Sequence, residues 1–201
     1  MLSFDESLHK YTWQGKAVPS VTQILNVLGC YEGVPVDALA IASARGTAVH
    51  KATELYDMGV LDWATVDDEV LGYLEGYIKF IDDYKPEIIS IEERMYHDKL
   101  GYAGTPDRFY VIKGSLACVD LKSSFKLMPA TAPQTAAYVE LKNQGLKSTD
   151  KIKKRYGLRL SKDGNYELKE YKSPVDFSLF VSCLNVVRWK QEHNKNFDFL
   201  T

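Results

Sequence analysis

Cysteine is scarce in this 201-residue chain, with only Cys30, Cys118 and Cys183, far apart and odd in number. They form no CxxC or other metal-ligand spacing, which argues against a disulfide framework or a cysteine-held zinc. Reduced thiols in a cytoplasmic protein are expected, each packed as a small apolar side chain. No apolar run approaches the ~18 residues a membrane span requires, and no charged start with an apolar core marks a secretory leader. An excess of one charge is also lacking. The 25 Lys and Arg against 27 Asp and Glu leave a net −2, so any nucleic-acid contact must come from a local patch. A GxxxxGK[ST] phosphate loop is missing as well, and with it the expectation of a bound nucleotide cofactor. No repeat, low-complexity tract or linker divides the chain. A single domain over 1–201 is expected, with an N-terminal hairpin and helix in 1–35 and the main body in 36–200.

What is present is ordinary globular composition, 45% hydrophobic and 26% charged, punctuated into readable elements. Residues 2–17 read as a small hairpin turning at Gln14-Gly15, and Ser20 as the N-cap of a helix over 21–28. From 36 the sequence reads helical through Leu55, with Gly46 either breaking that helix or marking a close backbone approach. Residues 57–68 look like an acidic, solvated connection. The spacing predicts a helix over 70–84 with Leu71, Leu74, Ile78 and Ile81 inward, and a continuous strand over 88–96. Two short apolar runs, 109–112 and 116–121, flank Lys113-Gly114-Ser115 and predict a β-hairpin. A helix opening at Pro133 follows, then a strand hairpin over 151–160 and 166–171, and a last helix over 175–193. Strands covered by helices predict an α/β (α+β) protein with a mixed central sheet.

The hairpin is the centre of chemical interest. Asp107 and Asp120 stand thirteen residues apart on its two arms. Asp120 and Lys122, two apart on one strand, point to the same face. Taken alone, an Asp-x-Lys triplet is common on exposed strands as a surface charge pair. Two carboxylates and an ammonium on neighbouring strands can instead hold a divalent cation and a phosphate together, since hard oxygen donors suit Mg²⁺ or Mn²⁺. On the helical segment His50 and Glu54 share a face, and Gln134 and Tyr138 do so on the helix after the hairpin. Glu92 and Glu93 point to opposite sides of their strand, so only one can join the site. A basic run, Lys147, Lys151, Lys153, Lys154 and Arg155, is either a solvated face or a track for a phosphate backbone. Arg45, Lys51, Arg108, Lys126, Tyr138 and Trp189 add charge and stacking surface.

Gly104-Thr105-Pro106-Asp107 followed by Val119-Asp120-Leu121-Lys122-Ser123-Ser124 resembles the core of the PD-(D/E)XK nucleases. Arg45-Gly46-Thr47-Ala48-Val49-His50 and Gln134-x-x-x-Tyr138 resemble the additional motifs of its RecB-like exonuclease branch. His9-x-Tyr11, Gly15 and Pro19-Ser20-Val21-Thr22 are similar to small phage-encoded members. The resemblance spans about residues 9–171 and implies a restriction-endonuclease-like core that hydrolyses DNA with Mg²⁺ or Mn²⁺. It implies His50, Asp107, Asp120 and the Leu121 carbonyl as metal ligands and Lys122 as the catalytic lysine. Glu92, or Glu93 if the strand register differs, would be the further acid, and Gln134 and Tyr138 would position the DNA strand. Relatives with an iron–sulfur cluster need four cysteines, so no cluster is expected here, and any helicase, replication or recombination partner would be a separate chain. An end-degrading exonuclease working in phage DNA replication, recombination or degradation is therefore expected. The alternatives are a structure-selective endonuclease with the same site and a DNA-binding protein that no longer cuts.

Overall fold

In a computed structural model, which describes residues 1–6 and 8–194, the chain is a mixed α/β structure built on a five-stranded sheet. Its strands, in chain order, are β4 (Glu87–Ile91), β7 (Arg108–Ile112), β8 (Ser115–Lys122), β9 (Lys154–Leu160) and β10 (Tyr166–Glu170). They lie side by side as β10-β9-β8-β7-β4. Every neighbour pair is antiparallel except β8–β9, which is parallel. A parallel pair needs a crossover, and helix α4 (Thr131–Asn143) supplies it.

Alternation along β7 and β8 divides the core in two. Tyr110, Ile112, Ala117, Val119 and Leu121 face α3 (Asp68–Tyr84) and the C-terminal half of α2 (Val36–Asp57). Phe109 and Cys118 face α4, α5 (Val175–His193) and α1 (Val21–Leu25). On α3 the inward stripe is Val70, Tyr73, Leu74, Tyr77 and Phe80, whereas Leu71 is exposed and Ile78 and Ile81 are only half-buried. The expected aliphatic stripe is thus rotated by about one residue, because the tyrosines bury larger rings and the Tyr77 hydroxyl donates to Asp57 inside. α5 matches its predicted span, with Phe180, Cys183, Leu184 and Val187 buried.

Elsewhere the structure corrects the expectations. α2 runs unbroken through Gly46, where an added Cβ would meet nothing nearer than Ser123 Oγ at 3.8 Å. Gly46 is therefore neither a break nor a point of tight approach. α4 begins two residues before Pro133, whose missing N–H falls within the helix's first turn, where it has no intrahelical partner anyway. The predicted strand over 88–96 stops at Ile91. Glu92 takes a left-handed backbone (φ +47°), and the chain restarts as β5 (Met95–His97), paired with β6 (Tyr102–Gly104) in a separate ribbon. The N-terminal segment forms three strands rather than two: β1 (Leu2–Asp5), β2 (Lys10–Trp13) and β3 (Lys16–Val18). It packs on that ribbon through Tyr11, Val18 and Ala103, with Trp13 stacked on Tyr96 at 4.4 Å, and so does not cover the edge of the central sheet. Ser20 caps α1 with a reciprocal bond from Gln23, as its position predicts. No helix among the described residues is long and apolar enough to cross a membrane.

The β9–β10 turn is seated directly on α3. A Cβ at Gly72 would lie 1.9 Å from the Lys162 carbonyl oxygen, and one at Gly76 2.6 Å from that of Asn165. Gly72→Ala gains helix propensity of up to about 1 kcal/mol, yet it drives a methyl into backbone. We expect a net loss of about 1–3 kcal/mol, seen as a fall in the melting midpoint. A rise in the midpoint would mean that the turn does not rest on the helix.

Candidate active site

The open end of β7 and β8 gathers the charged residues. Cys118, Asp120 and Lys122 alternate onto the α4 face of β8. One residue before the Arg108–Val119 pair, Asp107 lies beside this segment, and the Leu121 N–H donates to its Oδ2 (2.5 Å). From α2, His50 reaches across. Its Nε2 lies 3.2 Å from the Leu121 carbonyl oxygen, and its Nδ1 lies 3.3 Å from Asp107 Oδ1 and 3.7 Å from Glu92 Oε1. His50, Glu92 and Asp107 each offer one donor atom, all within 4.8 Å of one another, so the three can hold a metal ion.

Glu92 arrives by an unexpected route. The strand ends just before it, and its N–H donates to the Asp107 carbonyl (3.0 Å). The left-handed backbone turns its side chain toward His50, a conformation disfavoured for a residue with a Cβ. Glu93, the alternative acid, points away and is held by Lys142 at 2.6 Å. The carboxylate of Asp120 is almost fully buried and meets the Lys122 ammonium at 2.5 Å. It lies outside the three-residue cluster.

The electrostatics follow from crowding charges in a poorly solvated place. Burial pushes the Asp120 carboxyl up to about 6, Asp107 adding to that and Lys122 pulling against it. Burial acts the same way on Asp107, but His50, Lys122 and the Leu121 N–H outweigh it and hold the group down to about 2. Burial would lower His50, yet Asp107 and Glu92 lift it to about 10. Lys122 likewise stays an ammonium, since Asp120 and Asp107 overcome its desolvation.

Gln134 and Tyr138 lie on α4 one turn apart, bonded Nε2 to hydroxyl at 3.2 Å, and both line a cleft of about 840 Å³ that also holds His50, Asp107 and Lys122. Gly104 makes this possible, because a Cβ there would sit 2.8 Å from the Tyr138 ring. Burial and the nearby aspartates raise the Tyr138 hydroxyl well above its ordinary range, so it remains a donor. A second cleft, about 660 Å³, opens beyond His50 between α2 and the Leu121–Ser124 segment.

Two expectations about charge fail. Arg108, read as a surface cation, is completely buried beneath the site. Its Nε bonds Asp57 Oδ2 (2.7 Å), its Nη1 bonds the Asp107 carbonyl (2.8 Å) and lies 3.8 Å from Glu92, and its Nη2 bonds Thr53 (3.3 Å). Asp57, expected in a solvated connection, is the buried last residue of α2 and also accepts from Tyr77. Strand alternation carried the missing signal, since Arg108 shares its face with the core residues Tyr110 and Ile112. In the basic run, Arg155 is buried against Asp176 (2.8 Å) and Lys154 bonds Glu170 (2.6 Å). The run is therefore no continuous phosphate track. Trp189 is stacked on His193 and lines neither cleft.

No protein-family model matches the chain, and no curated protein matches it significantly in sequence. Among solved structures it is similar to a protein from Eubacterium rectale that carries an exonuclease assignment, with 14% identity, a TM-score of 0.55, and coverage of 90% of this chain and 83% of that one. An alkaline exonuclease from Laribacter hongkongensis aligns with 12% identity and a TM-score of 0.41, over 87% of this chain and 84% of that one. Similarity at 14% identity is similarity of fold.

Proposed function

We propose that this protein is a metal-dependent DNA exonuclease that hydrolyses phosphodiester bonds from strand ends. One observation carries the reading: His50, Glu92, Asp107, Asp120 and Lys122 converge at the open end of β7 and β8, on the wall of a cleft. The shared fold with an exonuclease-assigned protein supports it. The donor set pairs two close, hard carboxylates with a borderline imidazole, and a divalent cation entering it would displace the proton that His50 now holds between them. Burial and Asp107 raise the Glu92 carboxyl. His50, Asp107, Asp120 and the Leu121 carbonyl, with Glu92, would hold Mg²⁺ or Mn²⁺. Such a cation supplies Lewis-acid stabilisation of a phosphoryl oxygen and lowers the pKa of water.

The remaining roles belong to the chain itself. Lys122, kept charged by Asp120, neutralises negative charge that builds on the phosphate oxygens. Gln134 and the Tyr138 hydroxyl face the same cleft and orient the strand. Arg108 acts from behind, fixing the Asp107 backbone and approaching Glu92.

The test is nucleotide release from end-labelled linear single- and double-stranded DNA in Mg²⁺, Mn²⁺ or EDTA, beside circular single strands. Release from linear DNA in metal only, with circles left intact, is expected. Cut circles would make the enzyme an endonuclease, and no cutting in any metal would sink the catalytic reading. Metal binding has a readout free of activity. At about a hundredfold excess over Kd, Mn²⁺ should stabilise by ~2.7 kcal/mol, raising the midpoint by about 5–11 °C for a chain of this size. The rise should vanish in Asp107→Asn, and an equal rise there would place the ion elsewhere.

The two glutamates separate cleanly. Glu92→Gln should slow cleavage at least about 10-fold, the lower range for groups that set a metal site. Glu93→Gln removes only a surface pair, worth about 0–1 kcal/mol, and should leave the rate unchanged. Equal rates for both variants would remove Glu92 from the site.

A further inference from the structure

The second cleft, on the far side of His50 from Gln134 and Tyr138, has no part in the scheme above. Its floor is the Leu121–Ser124 segment, so it begins where the proposed metal ligands and Lys122 end. One wall is the outer half of α2, with Leu39, Ala42 and Gly46, and the other is the loop carrying Tyr31. At about 660 Å³ it falls in the roughly 300–1,000 Å³ range of sites for small organic ligands. Ala42 and Gly46 leave it open; a Cβ at Gly46 would still clear Ser123 by 3.8 Å.

Three features say what fits. Tyr31 is 51% exposed and lines the cleft together with Lys122. Arg45 lines the cleft, with its guanidinium 5.7 Å from the centre of the Tyr73 ring. A guanidinium offers forked N–H donors that match a phosphate. Immediately past Ser124, Phe125 stands 96% exposed. An aromatic ring, apolar walls and a guanidinium on the cleft wall match a nucleotide, with its flat base and anionic phosphate.

We propose that this cleft binds an unpaired nucleobase of the strand being cut, one or two nucleotides from the scissile phosphate, stacked on Tyr31 with Arg45 donating to its phosphate. This rests on the nuclease reading, because the cleft gains its meaning from continuity with Lys122 and His50. It narrows the substrate to an unpaired strand or a frayed end, since stacking on Tyr31 needs a base face that a duplex keeps covered. Stacking on a ring is sequence-tolerant, while Asn26, Glu32, Ser43 and Ser123 on the lining are placed to meet a base edge.

The experiment compares fluorescein-labelled oligo(dT) with an abasic oligonucleotide of equal length, in Ca²⁺, by anisotropy titration. Wild type, Tyr31→Ala and Gly46→Leu are measured, the last filling the cleft while replacing a helix glycine by a better helix former. The wild type should bind the abasic strand about 10-fold more weakly or worse, in line with the loss of a stacked base. Tyr31→Ala should shrink that preference several-fold, and Gly46→Leu should abolish it, with both variants melting at or above the wild-type midpoint. Equal wild-type affinity for the two strands would overturn the proposal, as would a preference left intact in both variants. If metal-dependent cleavage of linear DNA persists alongside that result, only the base cleft is wrong. Absence of any DNA binding or cleavage would remove the nuclease reading together with it.

Discussion

Asp120→Asn and Lys122→Ala are each expected to lower the proposed phosphodiester hydrolysis by about 10²- to 10³-fold, the loss usual when a charge aimed at the transition state is removed. The two residues act as one unit. Asp120 is buried with the Lys122 ammonium 2.5 Å away, so the lysine is held in one place before substrate arrives, and the carboxylate is partly neutralised. Asp120→Asn releases the lysine and withdraws a proposed metal ligand. Lys122→Ala removes the charge and leaves a carboxyl already pushed up to about 6 by burial, which then protonates rather than unfolds the site. Effects within such a unit are not additive, so the double variant should be hardly slower than the worse single one. Single-turnover rates on a linear labelled strand, with circular dichroism to confirm folding, measure this. A folded Lys122→Ala enzyme cutting at the wild-type rate would exclude the lysine from the chemistry.

The largest stability effect is expected at Arg108. Truncation to Ala leaves Asp57 buried with its charge unpaired and strips hydrogen bonds from Thr53 and the Asp107 carbonyl. Breaking a buried pair from one side costs about 3–5 kcal/mol, and for a chain of this length that lowers the midpoint by roughly 6–20 °C. Removing both charges is different. Arg108→Met with Asp57→Asn places apolar volume and a neutral acceptor where the ions stood, and much of the loss should return. Activity should not return with it, because the Arg108 hydrogen bond to the Asp107 carbonyl and its approach to Glu92 are both lost. A residual deficit of about 10- to 100-fold is expected, as for other groups that orient metal ligands. Recovery of both stability and activity would mean that Arg108 serves the fold alone.

Local patterns were enough to read much of this. The β7–β8 hairpin follows from two apolar runs around Lys113-Gly114, both of which take positive φ. α5 matches its predicted span, and the Ser20 cap and the Gln134–Tyr138 pairing are likewise local, set by neighbours within one turn. Asp107, Asp120 and Lys122 are close in sequence and joined by one tight turn, so their proximity is almost a covalent fact. The mixed sheet followed from the order of strands and helices.

What escaped depends on contacts between distant segments. Sequence alone put Glu92 and Glu93 on opposite sides of one straight strand; the break at Glu92 between β4 and β5 is visible only in the tertiary structure. Arg108 and Asp57 are 51 residues apart, and Asp57 looks like a surface charge until α2 is laid across the sheet. Strand alternation put Arg108 on the core face of β7, but its partner Asp57 is fixed only by how α2 packs. The same holds for His50. Its helical context was legible, but its 3.2 Å approach to the Leu121 carbonyl exists only because α2 packs on α3 and carries the histidine to the end of β8. Sequence thus determined the elements, through propensity and periodicity acting over a few residues. Tertiary packing alone decided which charges share one desolvated place, because burial depends on every segment that closes around them.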